Sequence, residues 1–167
     1  SNTAAFPGGK AHSLIRIARL PGLHSLLMGR LGLFEQITVH RATERGLPPE
    51  VRRAYLEPFA GPGERVAVQA FVRDIPLNPK HPSYATLVGV ERGLASLKHL
   101  PTLLLWGEKD WVFNPSFRAE FQRRFPEAEA DPLYDCGHLL WEDAPEACLS
   151  SVQSFFIRHP LPDRAPS

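Results

Sequence analysis

Thr102-Leu103-Leu104-Leu105-Trp106-Gly107-Glu108-Lys109-Asp110 decides how this chain is read. Pro101 is followed by a short, apolar, uninterrupted run, the texture of a strand buried on both faces of a parallel sheet. Gly107 ends the run, and an acid stands three residues further on. A second, weaker strand is predicted around Ala130 to Asp135, ending at Cys136-Gly137-His138. Between them Asn114-Pro115 predicts a helix start, and Phe117, Phe121 and Phe125 recur on one helical face. Strand, helix and strand in this order predict parallel strands joined by a right-handed crossover.

Outward from this unit the periodicity is helical. Ser83 can cap a helix running toward Leu97, with Leu87, Val90, Leu94 and Leu97 on one face. Pro145 opens a last helix bearing Ala147, Cys148, Val152, Phe155 and Phe156. Upstream, a helical block is predicted from about His12 to Pro82. In it Leu14, Ile17 and Ala18 share one face, and Pro21 opens a helix with Leu23, Leu26, Leu27 and Leu31 on one stripe. Leu33, Phe34, Ile37 and Val39 continue the apolar supply. Pro48-Pro49-Glu50 starts a helix through Val51, Ala54, Tyr55 and Leu56, and a further helix spans Arg65 to Asp74 with Val66, Phe71 and Val72. Residues 1 to 9 read as a strand exit stopped by Pro7-Gly8-Gly9. The fold class is α/β, with a helical block ahead of parallel strands and their helices. Two strands do not make a stable parallel sheet by themselves, and the chain opens without Met. The expectation is a part of a larger fold.

Composition narrows the function classes. The 167 residues are 43% apolar and 22% charged, with net charge +1 and no basic run. That argues against a nucleic acid or an anionic membrane as partner. No apolar run reaches membrane-spanning length. The two cysteines, Cys136 and Cys148, have neither disulfide-framework nor zinc spacing, so a reducing, cytoplasmic compartment is expected. His12, His24, His40, His81, His99 and His159 lack ligand spacing, so neither metal nor cofactor is expected.

The chemistry concentrates at Asp110 and His138. In open α/β sheets ligands sit beyond the carboxyl ends of the strands, where both residues fall. A neutral imidazole must present one nitrogen to water or a nucleophile, while the other donates to a carboxylate that fixes the tautomer and stabilises the cation. Asp135 is a second acid within reach of His138. Trp111, Leu139 and Leu140 either line an apolar pocket beside the pair or pack in the core, and Trp141 reads as core. Glu142 and Asp143 are expected to favour the positive start of the last helix. Cys136 as a nucleophile would need its own base.

Trp106-Gly107-Glu108-Lys109-Asp110-Trp111-Val112-Phe113 and Asp135-Cys136-Gly137-His138-Leu139-Leu140-Trp141-Glu142-Asp143-Ala144-Pro145-Glu146 resemble the closing motifs of an α/β-hydrolase. Asn2-Thr3-Ala4-Ala5-Phe6-Pro7, the helical block as a cap, and Phe71-Val72-Arg73-Asp74-Ile75-Pro76-Leu77 resemble the haloalkane dehalogenase-like branch. Within it the nearest look is the β-lactone decarboxylases of bacterial olefin biosynthesis, with Arg52 to Phe59 and His81-Pro82-Ser83-Tyr84 adding to the match. The resemblance implies the end of a core strand over 1–9, a helical cap over 10–80, the C-terminal part of the hydrolase core over 81–160, and a tail over 161–167. It also implies a nucleophilic Asp that forms an ester with an apolar small molecule, such as a haloalkane, epoxide or β-lactone. Asp110 would be the orienting acid and His138 the base. No Gly-x-Ser-x-Gly or Gly-x-Asp-x-Gly elbow occurs in the chain, so the nucleophile is expected N-terminal to Ser1, in cis or on a partner chain. The alternative is a non-catalytic module, or one subunit of a split hydrolase, with the helices from Leu14 to Val72 forming a dimerising surface.

Overall fold

The computed structural model describes residues 1–8, 15–16, 19–20 and 23–161. The expectations for Gly9, His12, Leu14, Ile17, Ala18 and Pro21, and for the tail beyond Leu161, lie outside the described residues. The helical block comprises a π-helical turn (Ser25–Arg30), α1 (Leu33–Arg41), α2 (Pro49–Leu56) and α3 (Val66–Asp74). There follow α4 (Tyr84–Gly93), β1 (Leu103–Gly107), α5 (Pro115–Arg124), β2 (Glu129–Leu133), α6 (Leu140–Asp143) and α7 (Pro145–Arg158).

β1 and β2 pair in parallel, in a register running from Leu103 opposite Glu129 to Gly107 opposite Leu133. The unbroken apolar run of β1 is explained by what covers it. Leu104 and Trp106 pack on one side with Phe6, Phe117, Phe121 and Phe125. Leu105 packs on the other with Cys136, Leu140 and Cys148. Alternate residues of a strand face opposite ways, so a strand with cover on both faces needs apolar residues at every position. Burying each large side chain contributes roughly 1.5–3 kcal/mol. Helix α5 starts where Asn114-Pro115 predicted, with Asn114 Oδ1 accepting from the Ser116 N–H at 3.0 Å. The C-terminus of α7 returns to β2, where Arg158 and His159 both reach Glu129. These partners, Arg158 foremost, hold the Glu129 carboxyl below its usual range.

Several faces differ from the sequence expectation. The stripe Leu23, Leu26, Leu27, Leu31 does not form a buried seam. Leu23, Leu26 and Leu31 are exposed, while His24, Met28 and Gly29 are buried. The cause is the i→i+5 turn, seen as Leu31 N–H donating to Leu26 O at 3.0 Å, which shifts every residue off the α-helical face. Phe34, Val66 and Phe71 are exposed, leaving Glu35, Val39 and Val72 to face inward. Val90 and Leu97 are likewise exposed. The Ser83 hydroxyl bonds the Asp74 carboxylate rather than capping α4. Residues 1–5 carry no regular structure. Trp141 is 46% exposed rather than core, because it follows Leu140 by one position in a helical turn and so points about 100° away. Phe156 is exposed for the same kind of reason beside buried Phe155.

Two glycines separate packing from propensity. A Cβ at Gly107 would lie 2.2 Å from Gly137 O and 2.8 Å from Cys136 O, both backbone atoms, whereas one at Gly89 in α4 meets nothing within 4 Å. Gly107→Ala is expected to cost about 2–3 kcal/mol in urea denaturation. Gly89→Ala should instead stabilise by about 0.5–1 kcal/mol.

Candidate active site

Both predicted residues stand beyond the carboxyl ends of the strands. Asp110 follows β1 by three positions and is held by its own loop, where its Oδ1 accepts from Val112 N–H at 2.6 Å and Phe113 N–H at 3.1 Å. His138 follows β2, and its Nδ1 lies 2.9 Å from Asp110 Oδ2. The carboxylate side chain is fully buried while the imidazole is 27% exposed. With Asp110 ionised, Nδ1 carries the proton and donates it. Nε2 is then a lone-pair acceptor, and no partner takes it among the described residues. The ring leans against Phe113, centroids 5.6 Å apart. Such a pair can accept a proton at Nε2 and stabilise the resulting cation from behind.

Asp135, the alternative acid, is turned away. Its side chain is 82% exposed and pairs with Lys109 at 3.2 Å, and Lys109 also reaches Glu44 at 3.7 Å. Asp135 in first place holds the Lys109 ammonium above its usual range. Leu140, 2% exposed, belongs to the core beneath the loop. Leu139 is half-buried, and its N–H donates to Ala42 O at 2.8 Å. Trp111 is also half-buried, and its indole N–H donates to Arg41 O at 2.8 Å. Both therefore tie the loops to the end of α1. Among the described residues no group of three or more His, Cys, Asp or Glu could hold a metal ion, and no helix is long and apolar enough to cross a membrane.

Two polar residues at this rim escape sequence reasoning. Asn2 has φ +33°, and its amide accepts from Gly107 N–H at 2.9 Å while donating to Gly137 O at 3.0 Å and His138 O at 3.3 Å. It thus pins the two loops together from 105 and 135 residues away in sequence. Asp143 is 1% exposed and accepts from Glu44, Arg45 and Gly137 N–H groups at 2.7–3.0 Å. Its neighbour Glu142 accepts from the Tyr55 hydroxyl at 2.9 Å. The sequence expectation placed both acids at the start of the last helix. In the structure both hold the helical block. The only sequence signal was two adjacent acids ahead of Pro145, which is equally a helix-start pattern.

A parallel strand–helix–strand unit, bearing an Asp–His pair at its carboxyl rim and a helical block seated over that rim, defines the α/β-hydrolase class. Comparison with known proteins narrows it. The chain is 30% identical over 158 residues to a cis-3-alkyl-4-alkyloxetan-2-one decarboxylase of Shewanella oneidensis, covering 92% of this chain and 50% of that protein. It is 30% identical over 164 residues to the enzyme of the same name from Xanthomonas campestris pv. campestris, covering 96% and 55%. A haloalkane dehalogenase from Bradyrhizobium elkanii superposes with TM-score 0.78 at 26% identity, covering 87% of this chain and 50% of that one. One from Agrobacterium tumefaciens shares the fold, with TM-score 0.74 at 20% identity over 87% and 50%. No protein-family profile matches the chain. These similarities support a haloalkane dehalogenase-like α/β-hydrolase relationship, and the chain spans about half the length of the curated relatives it matches.

Cys136 lies beside this loop but is not equipped as a nucleophile. It is 3% exposed, and burial, then Asp143, pushes its thiol up. Cys148 is fully buried, and burial raises its pKa to about 11. Native protein at pH 8 is expected to leave both thiols unmodified by an aromatic disulfide reagent over minutes. Unfolding in guanidinium should release two equivalents; rapid native labelling would contradict the packing.

Proposed function

We propose that this chain supplies the acid–base half of a hydrolase acting on an apolar small molecule, with His138 as general base and Asp110 as its orienting acid. The observation that carries this is the 2.9 Å contact between a fully buried carboxylate and Nδ1 of a partly exposed imidazole. The nucleophile is an Asp in the complementary half of the fold, as the resemblance implies. It attacks substrate carbon and breaks that carbon's bond to halide, epoxide oxygen or lactone ring oxygen, which leaves as halide ion, alkoxide or carboxylate while an enzyme ester forms. His138 Nε2 then takes a proton from water as the water oxygen adds to the ester carbonyl, Asp110 stabilises the imidazolium, and the alcohol departs with that proton. Haloalkane and epoxide fit this scheme to its end; a β-lactone fits its first step, after which the released carboxylate can depart as CO2 while the ester C–O bond breaks, returning the Asp carboxylate and leaving an alkene. The names of the curated relatives favour a β-lactone, an oxetan-2-one carrying alkyl chains. Two free, buried cysteines fit a reducing, cytoplasmic setting.

Protein carrying both halves should turn over a dialkyl β-lactone or a haloalkane. His138→Ala should lower that turnover on the order of 10³-fold or more, and Asp110→Asn by roughly 10²–10⁴-fold. Full activity in His138→Ala would end this reading.

A second reading draws on the exposed Leu23, Leu26, Leu31 and Phe34. Scattered exposed apolar side chains are ordinary, but four on one short stretch suit a covered face. In this reading the chain works by association, with a partner chain or a second copy of itself. Size-exclusion chromatography with light scattering decides: a dimer or a hetero-complex supports it, and a monodisperse monomer counts against it.

A further inference from the structure

We propose that Asp143 is a positioning residue that couples the seat of the helical block to the loop of His138. The proposal rests on the acid–base reading of His138 given above. The side chain is 1% exposed, yet no cation pairs with it among the described residues. Burying a carboxylate without a counter-charge is costly unless hydrogen bonds replace its hydration. Here backbone N–H groups do so. Oδ1 accepts from Glu44 at 2.9 Å and Arg45 at 3.0 Å, and Oδ2 accepts from Glu44 at 3.0 Å and Gly137 at 2.7 Å.

The donors come from two places. Glu44 and Arg45 lie just beyond α1, and Gly137 immediately precedes His138. None of these bonds goes to α7, so the acid is not acting as that helix's cap. The surroundings leave little slack. A Cβ at Gly137 would lie 2.8 Å from Ala42 O, and Ala42 O itself accepts from Leu139 N–H at 2.8 Å. Residues 42–45 and 137–139 are therefore in backbone contact, with one carboxylate spanning the junction. A charge-assisted bond to a carboxylate is about twice as strong as a neutral one. A tilt of the helical block at Glu44 and Arg45 is transmitted through Asp143 to Gly137, and from there to the direction of the imidazole.

Proton NMR of the full chain tests this through the His138 Nδ1–H resonance, which the Asp110 bond moves far downfield and protects from exchange. Asp143→Asn keeps the volume but puts an NH2 against backbone donors. The expected result is an Nδ1–H exchange rate raised about tenfold or more, with matching loss of protection at Glu44, Arg45 and Gly137. The Trp106 indole N–H, bonded to Phe113 O at 2.9 Å, should be unchanged, which separates a positioning effect from unfolding. Tyr55→Phe removes the outer contact to Glu142 and should leave Nδ1–H as in wild type. Amide exchange in unmodified protein provides a measurement that needs no variant. Glu44, Arg45 and Gly137 should open together, with protection factors within about threefold of one another. An unchanged Nδ1–H in Asp143→Asn, or Gly137 opening independently of Glu44 and Arg45, overturns the proposal. A missing protected Nδ1–H in wild type instead overturns the Asp110–His138 reading and leaves the amide protections to decide the role of Asp143.

Discussion

Two backbones touch at the rim of the sheet, and everything nearby is arranged around that contact. Past the last paired residues of β1 and β2 the strands do not splay. Glu108 N–H donates to Leu133 O and Lys109 N–H to Cys136 O, each at 3.0 Å. Only glycine lets the chains approach this closely, since a side chain at Gly107 would overlap the carbonyl of Gly137. The consequence is chemical. Asp110 and His138, 28 residues apart in sequence, arrive 2.9 Å apart. Pre-set geometry of this kind is what an acid–base pair needs, because small misplacements are costly in rate.

Holding two loops at contact distance takes polar bonds that water cannot compete for. Asn2 provides them on one side, at a backbone angle that costs a non-glycine residue on the order of 1 kcal/mol. Its three hydrogen bonds, all in buried or part-buried surroundings, offset that strain. Asp143 provides them on the other side. The apolar cores sit beneath: the phenylalanines of α5 support β1 on one face, and Cys148 with Leu140 supports the His138 loop on the opposite one. The site is thus supported from below and from both flanks, and Nε2 of the imidazole is the ring nitrogen without a partner among the described residues.

How much of this was legible in the sequence follows from how local each signal is. β1 was legible because a strand covered on both faces has to be apolar throughout. The start of α5 was legible because an Asn-Pro cap is a short-range device. Asp110 and His138 were legible because each ends a strand. The helical block was harder. Its apolar stripe was laid out for an α-helix, and a single π turn moved Leu26 and Leu31 outward and Met28 inward. Asn2 and Asp143 were illegible as rim residues, since their partners are about a hundred residues or more distant in most of their bonds. No periodicity or turn rule reports such a pairing. Glu142 and Asp143 fitted a local helix-start rule that tertiary bonding overrode.

Adjacent residues 142 and 143 reach the same helical block, but through unlike fastenings. Asp143 grips backbone in a dry interior, while Glu142 meets the Tyr55 hydroxyl at the surface, where solvent competes for both partners. The 44–45 corner is thus fastened where water does not compete, whereas the Tyr55 side hangs on a bond that water can replace.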